Sequence, residues 1–429
     1  MATLRLGIAG LGTVGCGLLA LLRDNKATIE QRAGSVLEVS AVSARDKSRD
    51  RGVDLGGIAW TDDARDLAGR DDVDVVVELI GGEDGVALDL VRAAVGAGKH
   101  VVTANKALLA VHGTEIARLA DANGVHVGYE AAVAGGIPIV KALREGLAGN
   151  RIKRLYGILN GTSNYILTQM GQHGAPFADV LAEAQDLGYA EADPTLDIGG
   201  GDAAHKLAIL TSLAFGRPVD FAGVHVEGIQ QVTPEDIAFA AELGFDVKLL
   251  GIAEETEHGI AQRVHPCMVP LNANIAHVNG VFNAVEVESD QADVTTYVGR
   301  GAGGGPTASA VAADIIDIAR GLRLPLFNMP AGDLEDQPGA PMDRRFGCYY
   351  ICLHVVDQPG VIADISAILR DHAISLESLL QRGRDPGERV PVVLTTHDTE
   401  EAAMMEALKR IAALDVMIEE PRMIRIENL

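Results

Sequence analysis

The segment Gly10-Leu-Gly12-Thr-Val-Gly15, set between an apolar run at 4–9 and a helical pattern from about Val14, constrains the chain more than any other feature. Glycines at these spacings permit a tight strand-to-helix turn and let backbone approach a pyrophosphate at the helix N-terminus. Further apolar runs at 36–42, 73–79 and 99–102 alternate with helical patterns after Asp84 and near Ala107. That alternation predicts a Rossmann-like, doubly wound parallel sheet over residues 1–135. A dinucleotide would then lie against Gly10, Gly12, Thr13, Val14 and Gly15. The second run ends in Ser43-Ala-Arg45-Asp46-Lys47, and a guanidinium at Arg45 suits a 2′-phosphate, which favours NADP over NAD. The same loop, with Arg49 and Arg51, also reads as a solvated basic stretch in which Asp46 meets the ribose.

A chain of 429 residues suggests about three domains at roughly 150 residues each. Strict alternation ends near Gly135, and 136–327 reads as a second, mixed α+β domain. Residues 328–346, with Pro330, Pro338 and Pro341, read as a linker. Beyond it, 347–429 shows strand 349–356, helix 361–372, strands 374–380 and 390–397, helix 400–414 and a last strand near Val416. This is the ferredoxin-like βαββαβ order. The formal charge of −24 argues against nucleic acid and anionic membranes as partners. Apolar residues make up 48 % of the chain, but acidic residues interrupt them too regularly for a membrane span. The opening residues enter a strand directly, without a secretory n-region, so a cytoplasmic location is expected. Cys16, Cys267, Cys348 and Cys352 lack metal-binding or disulfide spacing.

Two places carry chemistry. Lys106, in Thr103-Ala-Asn105-Lys106, follows a parallel strand at the end where open sheets bind ligands, although a solvated lysine is the commoner outcome there. Residues 184–206 gather Glu191, Asp193, Asp197, Asp202 and Lys206. If a helix begins near Gly201, Asp202 and Lys206 form an i, i+4 pair, and Lys206 becomes a candidate proton donor. A capped acidic loop followed by a surface ion pair fits the spacing equally well.

The pattern A-x3-G-Y-A-x2-D-P-x2-D-I-x-G-x-D-x3-K over 184–206 resembles the signature of the homoserine dehydrogenase family. GLGTVG at Gly10, TANKALLA at Thr103 and NGTSNYIL at Asn160 agree with it in order, so the resemblance reaches to about residue 325. It implies reversible, NAD(P)H-dependent reduction of L-aspartate 4-semialdehyde to L-homoserine, within threonine, methionine and isoleucine biosynthesis. Lys206 would be the acid/base and Lys106 would orient substrate and cofactor, while Glu191, Asp197 and Asp202 hold the substrate. Thr103, Gly188 and Gly303, the last in the run Gly299-Arg-Gly301-Ala-Gly303-Gly-Gly305, would lie near the cofactor; that run also reads as a flexible loop. The segment from Glu130 to Ile137 resembles the family's monovalent cation loop. A structural sodium ion would take the Glu130 carboxylate and the carbonyls of Val133, Gly135 and Ile137. Without the resemblance, the segment is a turn with a glycine hinge.

Residues 349 to about 427 resemble an ACT domain, carried by Asp357-Gln-Pro-Gly360 and the helix after it. The family context suggests L-threonine as a feedback effector, and a module that only pairs with a copy of itself is the competing view. A homodimer or homotetramer is expected. Two rivals remain: an aspartate-semialdehyde dehydrogenase-like enzyme, which needs a nucleophilic cysteine, and a catalytically silent nucleotide and amino-acid sensor, which needs neither lysine. A fusion to an aspartate kinase is not expected, because no segment stands before the first strand.

Overall fold

Hydrophobic β-branched runs that alternate with amphipathic helices bury best as strands of a parallel sheet covered on both faces, and that is what the N-terminal runs form. A computed structural model describes residues 2–382 and 387–429 and divides the chain into two compact units. The first takes residues 1–161, 202–224 and 282–337, and the second takes 162–201, 225–281 and 338–429.

In the first unit, β1 (Ala2–Ala9), β2 (Ser35–Ser43), β3 (Ala59–Thr61), β4 (Val75–Glu78), β5 (His100–Thr103) and β6 (Val127–Gly128) lie in the order β3-β2-β1-β4-β5-β6. The order reverses between β1 and β4, both parallel to their neighbours, which puts the ligand crevice at the C-terminal end of β1. Leu6, Ile8, Val42, Val75, Val77 and Val102 are buried in one core with Leu18, Ala308, Val311 and Ile315. The last three belong to the helix Gly304–Ala319, which runs against the helix Thr13–Asp24. A Cβ on Gly17 would stand 3.0 Å from the Gly304 carbonyl, so these helices meet backbone to backbone.

The same unit holds β7 (Ile152–Ile158), β11 (Phe282–Ser289) and β12 (Val294–Arg300), paired antiparallel with β11 in the middle. It also holds nearly all of the helix Gly201–Phe215, whose residues from Asp202 to Leu213 are all buried. A helix buried on every side is a core element, and any charge on it needs a partner inside. The sequence expectation of a helix starting at Gly201 is met, but Asp202 and Lys206 form no surface pair.

In the second unit, β8 (His225–Val226), β9 (Phe245–Thr256) and β10 (Gly259–Pro270) precede β13 (Phe346–Val356), β14 (Leu376–Gln381), β15 (Arg389–Thr396), β16 (Thr399–Glu400) and β17 (Arg422–Ile426). The strands β17-β13-β15-β14 and the helices Val361–Asp371 and Glu401–Ala412 make the expected βαββαβ fold. One boundary differs. The final strand lies at 422–426, not near Val416, and Met417 makes only an isolated bridge to Val355. β17 is shared, antiparallel to β13 and parallel to β10 at Cys267–Arg425 and Met268–Ile426.

Alternation along β13 sends Tyr349, Ile351, Leu353 and Val355 into the core under its helices. The opposite face carries Tyr350, Cys352 and His354 to the helix Pro234–Glu242. There Asp236 accepts from Tyr350 Oη (3.1 Å) and Arg422 Nε (2.9 Å), and Glu235 meets His354 Nε2 at 3.0 Å. Asp236 also closes a capping box with Thr233. The segment expected as a linker is held at both ends, through Glu335 N to the Gly216 carbonyl (3.0 Å) and Ala340 N to the Ile260 carbonyl (3.0 Å).

Candidate active site

The glycine turn has the geometry that its sequence demands. Gly10 has φ +101°, and a Cβ there would lie 2.4 Å from the Leu79 carbonyl; one on Gly15 would lie 2.1 Å from the Gly10 carbonyl. Gly12 caps the helix Thr13–Asp24 without a side chain, which leaves its first N–H groups directed at an anion. Above this turn opens a 760 Å³ cavity bordered by Gly10, Gly12, Ser43, Arg45, Arg49 and Arg51. Asp46 spends one oxygen on Ser48, accepting from its N at 2.8 Å and its Oγ at 2.7 Å, and those bonds hold its carboxyl below the usual range. Asp46 borders the same cavity, so the loop offers it both guanidinium groups and a carboxylate. Trp60, unremarked in the sequence, supports it, with the Arg51 guanidinium 5.6 Å from its ring centre.

At the end of β5, Thr103 is buried and its hydroxyl donates to Glu78 Oε2 at 2.6 Å, so its side chain positions the turn. Asn105 caps the next helix by accepting from Leu108 N at 3.1 Å. Lys106 is fixed in that first turn and reaches Asp202 Oδ1 at 3.0 Å. The other oxygen, Oδ2, accepts from Lys206 Nζ at 2.6 Å and from Asn160 Nδ2 at 2.9 Å. Lys206 also donates to the Leu159 carbonyl at 2.7 Å. Burial alone would push Asp202 up, but the Lys206 and Lys106 ammonium groups and the hydrogen bonds from Lys206 and Asn160 hold it well below the usual carboxylate range.

The structure therefore brings together both lysines singled out in the sequence and places Asp202, expected to hold the substrate, between them. Its carboxylate is engaged by two ammonium groups and an amide, so it positions both lysines. Asn160 was part of a quoted motif without a role, and its contact with Asp202 spans 42 positions, beyond any local pattern. His205, one residue before Lys206, packs on Phe221 with ring centres 4.4 Å apart, and burial shifts it toward the neutral form.

Glu191, Asp197 and Gly188 belong to the second unit. Gly188 has φ +73° just past the helix Phe177–Asp186. The loop beyond is pinned by Gln185 Nε2 to the Glu191 carbonyl (3.0 Å), Thr162 Oγ1 to the Tyr189 carbonyl (2.6 Å) and Ser163 Oγ to the Asp197 carbonyl (2.9 Å). Glu191 itself is exposed. In the first unit, Gly303 has φ +118° and caps the helix Gly304–Ala319, where a Cβ on Gly304 would sit 3.1 Å from Thr13. The glycine run thus packs against the dinucleotide turn.

The loop after Glu130 turns through positive φ at Ala134 (53°) and Gly135 (28°). Glu130 accepts from Val140 N and Lys141 N, each at 2.9 Å. Burial, aided by the neighbouring Asp314 carboxylate, pushes Glu130 up to about 7, and burial also raises Asp314. Glu130 and Asp314 are thus two buried carboxyl groups beside Lys141, and a hard monovalent cation would take oxygen from Glu130 and from the carbonyls of Val133, Gly135 and Ile137.

In the βαββαβ module, a 380 Å³ cavity lies along Asp357, Gln358, Pro359 and Gly360, where Gly360 (φ +101°) opens the helix Val361–Asp371. Burial pushes the Cys348 thiol up to about 11 and Cys352 to about 12, and raises Cys267 beyond the ordinary thiol range. Such thiols are poor nucleophiles, which weighs against the acyl-enzyme rival.

Comparison with known proteins agrees with this geometry. The family model "Homoserine dehydrogenase, NAD binding domain" matches residues 10–130, "Homoserine dehydrogenase" matches 138–316 and "ACT domain" matches 349–413. The homoserine dehydrogenase of Neisseria gonorrhoeae is 47 % identical over 100 % of both chains. The crystal structure of a homoserine dehydrogenase from Thiobacillus denitrificans superposes with a TM-score of 0.95 at 47 % identity, covering 100 % of this chain and 99 % of that one. A hyperthermophilic archaeal homoserine dehydrogenase in complex with NADPH superposes with a TM-score of 0.63 at 26 % identity, covering 75 % of this chain and 98 % of that one. A glycine turn built for a nicotinamide dinucleotide, two lysines on one buried carboxylate and full-length similarity together place the chain in the homoserine dehydrogenase family, as an NAD(P)-dependent oxidoreductase acting on CH–OH and ending in an ACT domain.

Proposed function

We propose that the chain interconverts L-aspartate 4-semialdehyde and L-homoserine in the cytosol, on the route to threonine, methionine and isoleucine. The observation that carries this is the buried Lys206–Asp202–Lys106 array, which presents two ammonium groups at the end of β5. The nicotinamide, when bound, supplies or receives the hydride. Lys206 then gives its proton to the developing alkoxide oxygen in reduction and takes it back in oxidation. Lys106, on the exposed side of Asp202, orients the substrate carbonyl. Glu191 and Asp197, carried in the same signature as Lys206, receive the amino acid's ammonium group.

NADP is the preferred cofactor in this reading, because Arg45, Arg49 and Arg51 border the dinucleotide cavity and a guanidinium suits a 2′-phosphate. Sodium occupies the Glu130 loop in a structural role. L-Threonine enters the cavity at Asp357–Gly360, where the open N-terminus of the helix Val361–Asp371 receives its carboxylate. The chain assembles as a homodimer or homotetramer, consistent with the exposed Val294 and Val298 on the edge strand β12.

Lys206→Ala is expected to lower kcat about 1,000-fold, within the span of general acid catalysis. Cofactor affinity, followed by nicotinamide fluorescence, should stay near wild type, and near-normal turnover would contradict the assignment. In homoserine oxidation assayed with each cofactor, Arg45→Ala should raise the KM for NADP roughly tenfold or more and leave that for NAD nearly unchanged. Threonine added to the wild-type assay should inhibit, and an equal loss of both cofactors or indifference to threonine would remove the respective claim. Replacing sodium with choline should lower the melting temperature, whereas an unchanged value would leave the Glu130 loop without a cation.

A further inference from the structure

Resting on the assignment of Lys206 as proton donor, we propose that Asn160 is a positioning residue for the proton transfer, holding Asp202 in the one orientation that serves both lysines. An ionised carboxylate only accepts hydrogen bonds, so the amide nitrogen of Asn160 must be the atom that faces Asp202 Oδ2, at 2.9 Å. Oδ2 is also the oxygen that holds Lys206, at 2.6 Å, while Oδ1 holds Lys106 at 3.0 Å. A carboxylate bound by two lysines alone could turn about its Cβ–Cγ bond and exchange them between its oxygens. A third donor anchored on Oδ2 removes that freedom.

The anchor is rigid for reasons found in the fold. Asn160 is buried and follows β7, which is paired with β11 up to Ile158–Ala284. The residue before it, Leu159, gives its carbonyl to Lys206 at 2.7 Å. Consecutive residues at one strand end therefore act on the same ammonium, Leu159 directly and Asn160 through Asp202. With two N–H bonds of Lys206 aimed at Asp202 and Leu159, tetrahedral geometry fixes the direction of the third. Loosening Asp202 blurs that direction and costs rate without altering how the dinucleotide binds, since misplacing a reacting group by a fraction of an ångström lowers turnover selectively. The amide is also neutral, so it steadies Asp202 without adding to the charge of the array.

The test uses the full-length enzyme with Asn160→Ala and the isosteric Asn160→Asp, each checked for a wild-type melting profile. Asn160→Ala should lower kcat for semialdehyde reduction about 10- to 30-fold with both KM values within about threefold. In a Lys206→Ala background the same change should cost little more, because both act on one step. Asn160→Asp adds a negative charge beside Lys206, favours its ammonium form and should move the alkaline limb of the pH–rate profile to higher pH. An unmoved limb would show that residue 160 does not act on Lys206 through Asp202, which keeps the proposal falsifiable even if the alanine variant folds poorly. Wild-type kcat in Asn160→Ala, full multiplication of the two losses, or an unmoved alkaline limb in Asn160→Asp would each overturn the proposal. A Lys206→Ala enzyme with normal turnover would instead overturn the proton-donor assignment and the proposal with it, and it is recognised from that single variant.

Discussion

One buried carboxylate organises the catalytic half of this enzyme. Asp202 sits on a helix enclosed on every side, where an uncompensated charge is costly, and it is balanced by Lys206 one turn along and Lys106 from another element. Removing one partner of such a buried pair typically costs about 3–5 kcal/mol, because the other charge is left stranded. The Lys106 contact, on a side chain 41 % exposed, contributes much less to stability and more to placement. The parts come from distant places in the chain: the end of β5 brings Lys106, the end of β7 brings Leu159 and Asn160, and the helix Gly201–Phe215 brings the remaining two. The array assembles only when the parallel sheet, the antiparallel strands and the buried helix are all in place.

The ACT domain is built into its unit by a comparable exchange of charge. β17 lies between β10 and β13, and its two arginines point to carboxylates on both sides: Arg425 to Glu227 and Glu401, Arg422 to Glu235 and Asp236. Arg263 and Arg345 converge on Glu427 from β10 and β13's approach. The strand that carries Val355 and Val356 to the cavity at Asp357–Gly360 also carries Tyr350, Cys352 and His354 against the helix Pro234–Glu242. Any ligand that tightens the start of the helix Val361–Asp371 thus acts on a strand already bonded to the body of its unit. A tail attached by a loose tether would give no such route.

Local rules made much of this legible. The GxGxxG spacing, the βα alternation and the βαββαβ order depend on residues close in sequence, and they were met with small shifts of boundary. The i, i+4 relation of Asp202 and Lys206 was likewise local, although the burial that gives it force was not. Misses have identifiable causes. Val416-Met-Ile looked like the last strand, but Pro421 separates it from the true one, Arg-Met-Ile-Arg-Ile at 422–426, whose arginines pair with carboxylates of neighbouring elements. β3 and β6 are too short to show a period of two. The bond of Asp46 to Ser48 was local and readable as a side-chain turn. The saturation of Asp202 joins residues 106, 160, 202 and 206, and no sequence window contains them.

Steady-state kinetics of Asp202→Asn separates the proposal that Asp202 works on the lysines from the reading in which it holds the substrate. The substitution keeps the side chain's size while removing the charge that holds both ammonium groups. If Asp202 works on the lysines, kcat should fall at least about 100-fold, with the KM for homoserine within about threefold of wild type. A KM raised by orders of magnitude with kcat preserved would contradict it and return Asp202 to the substrate.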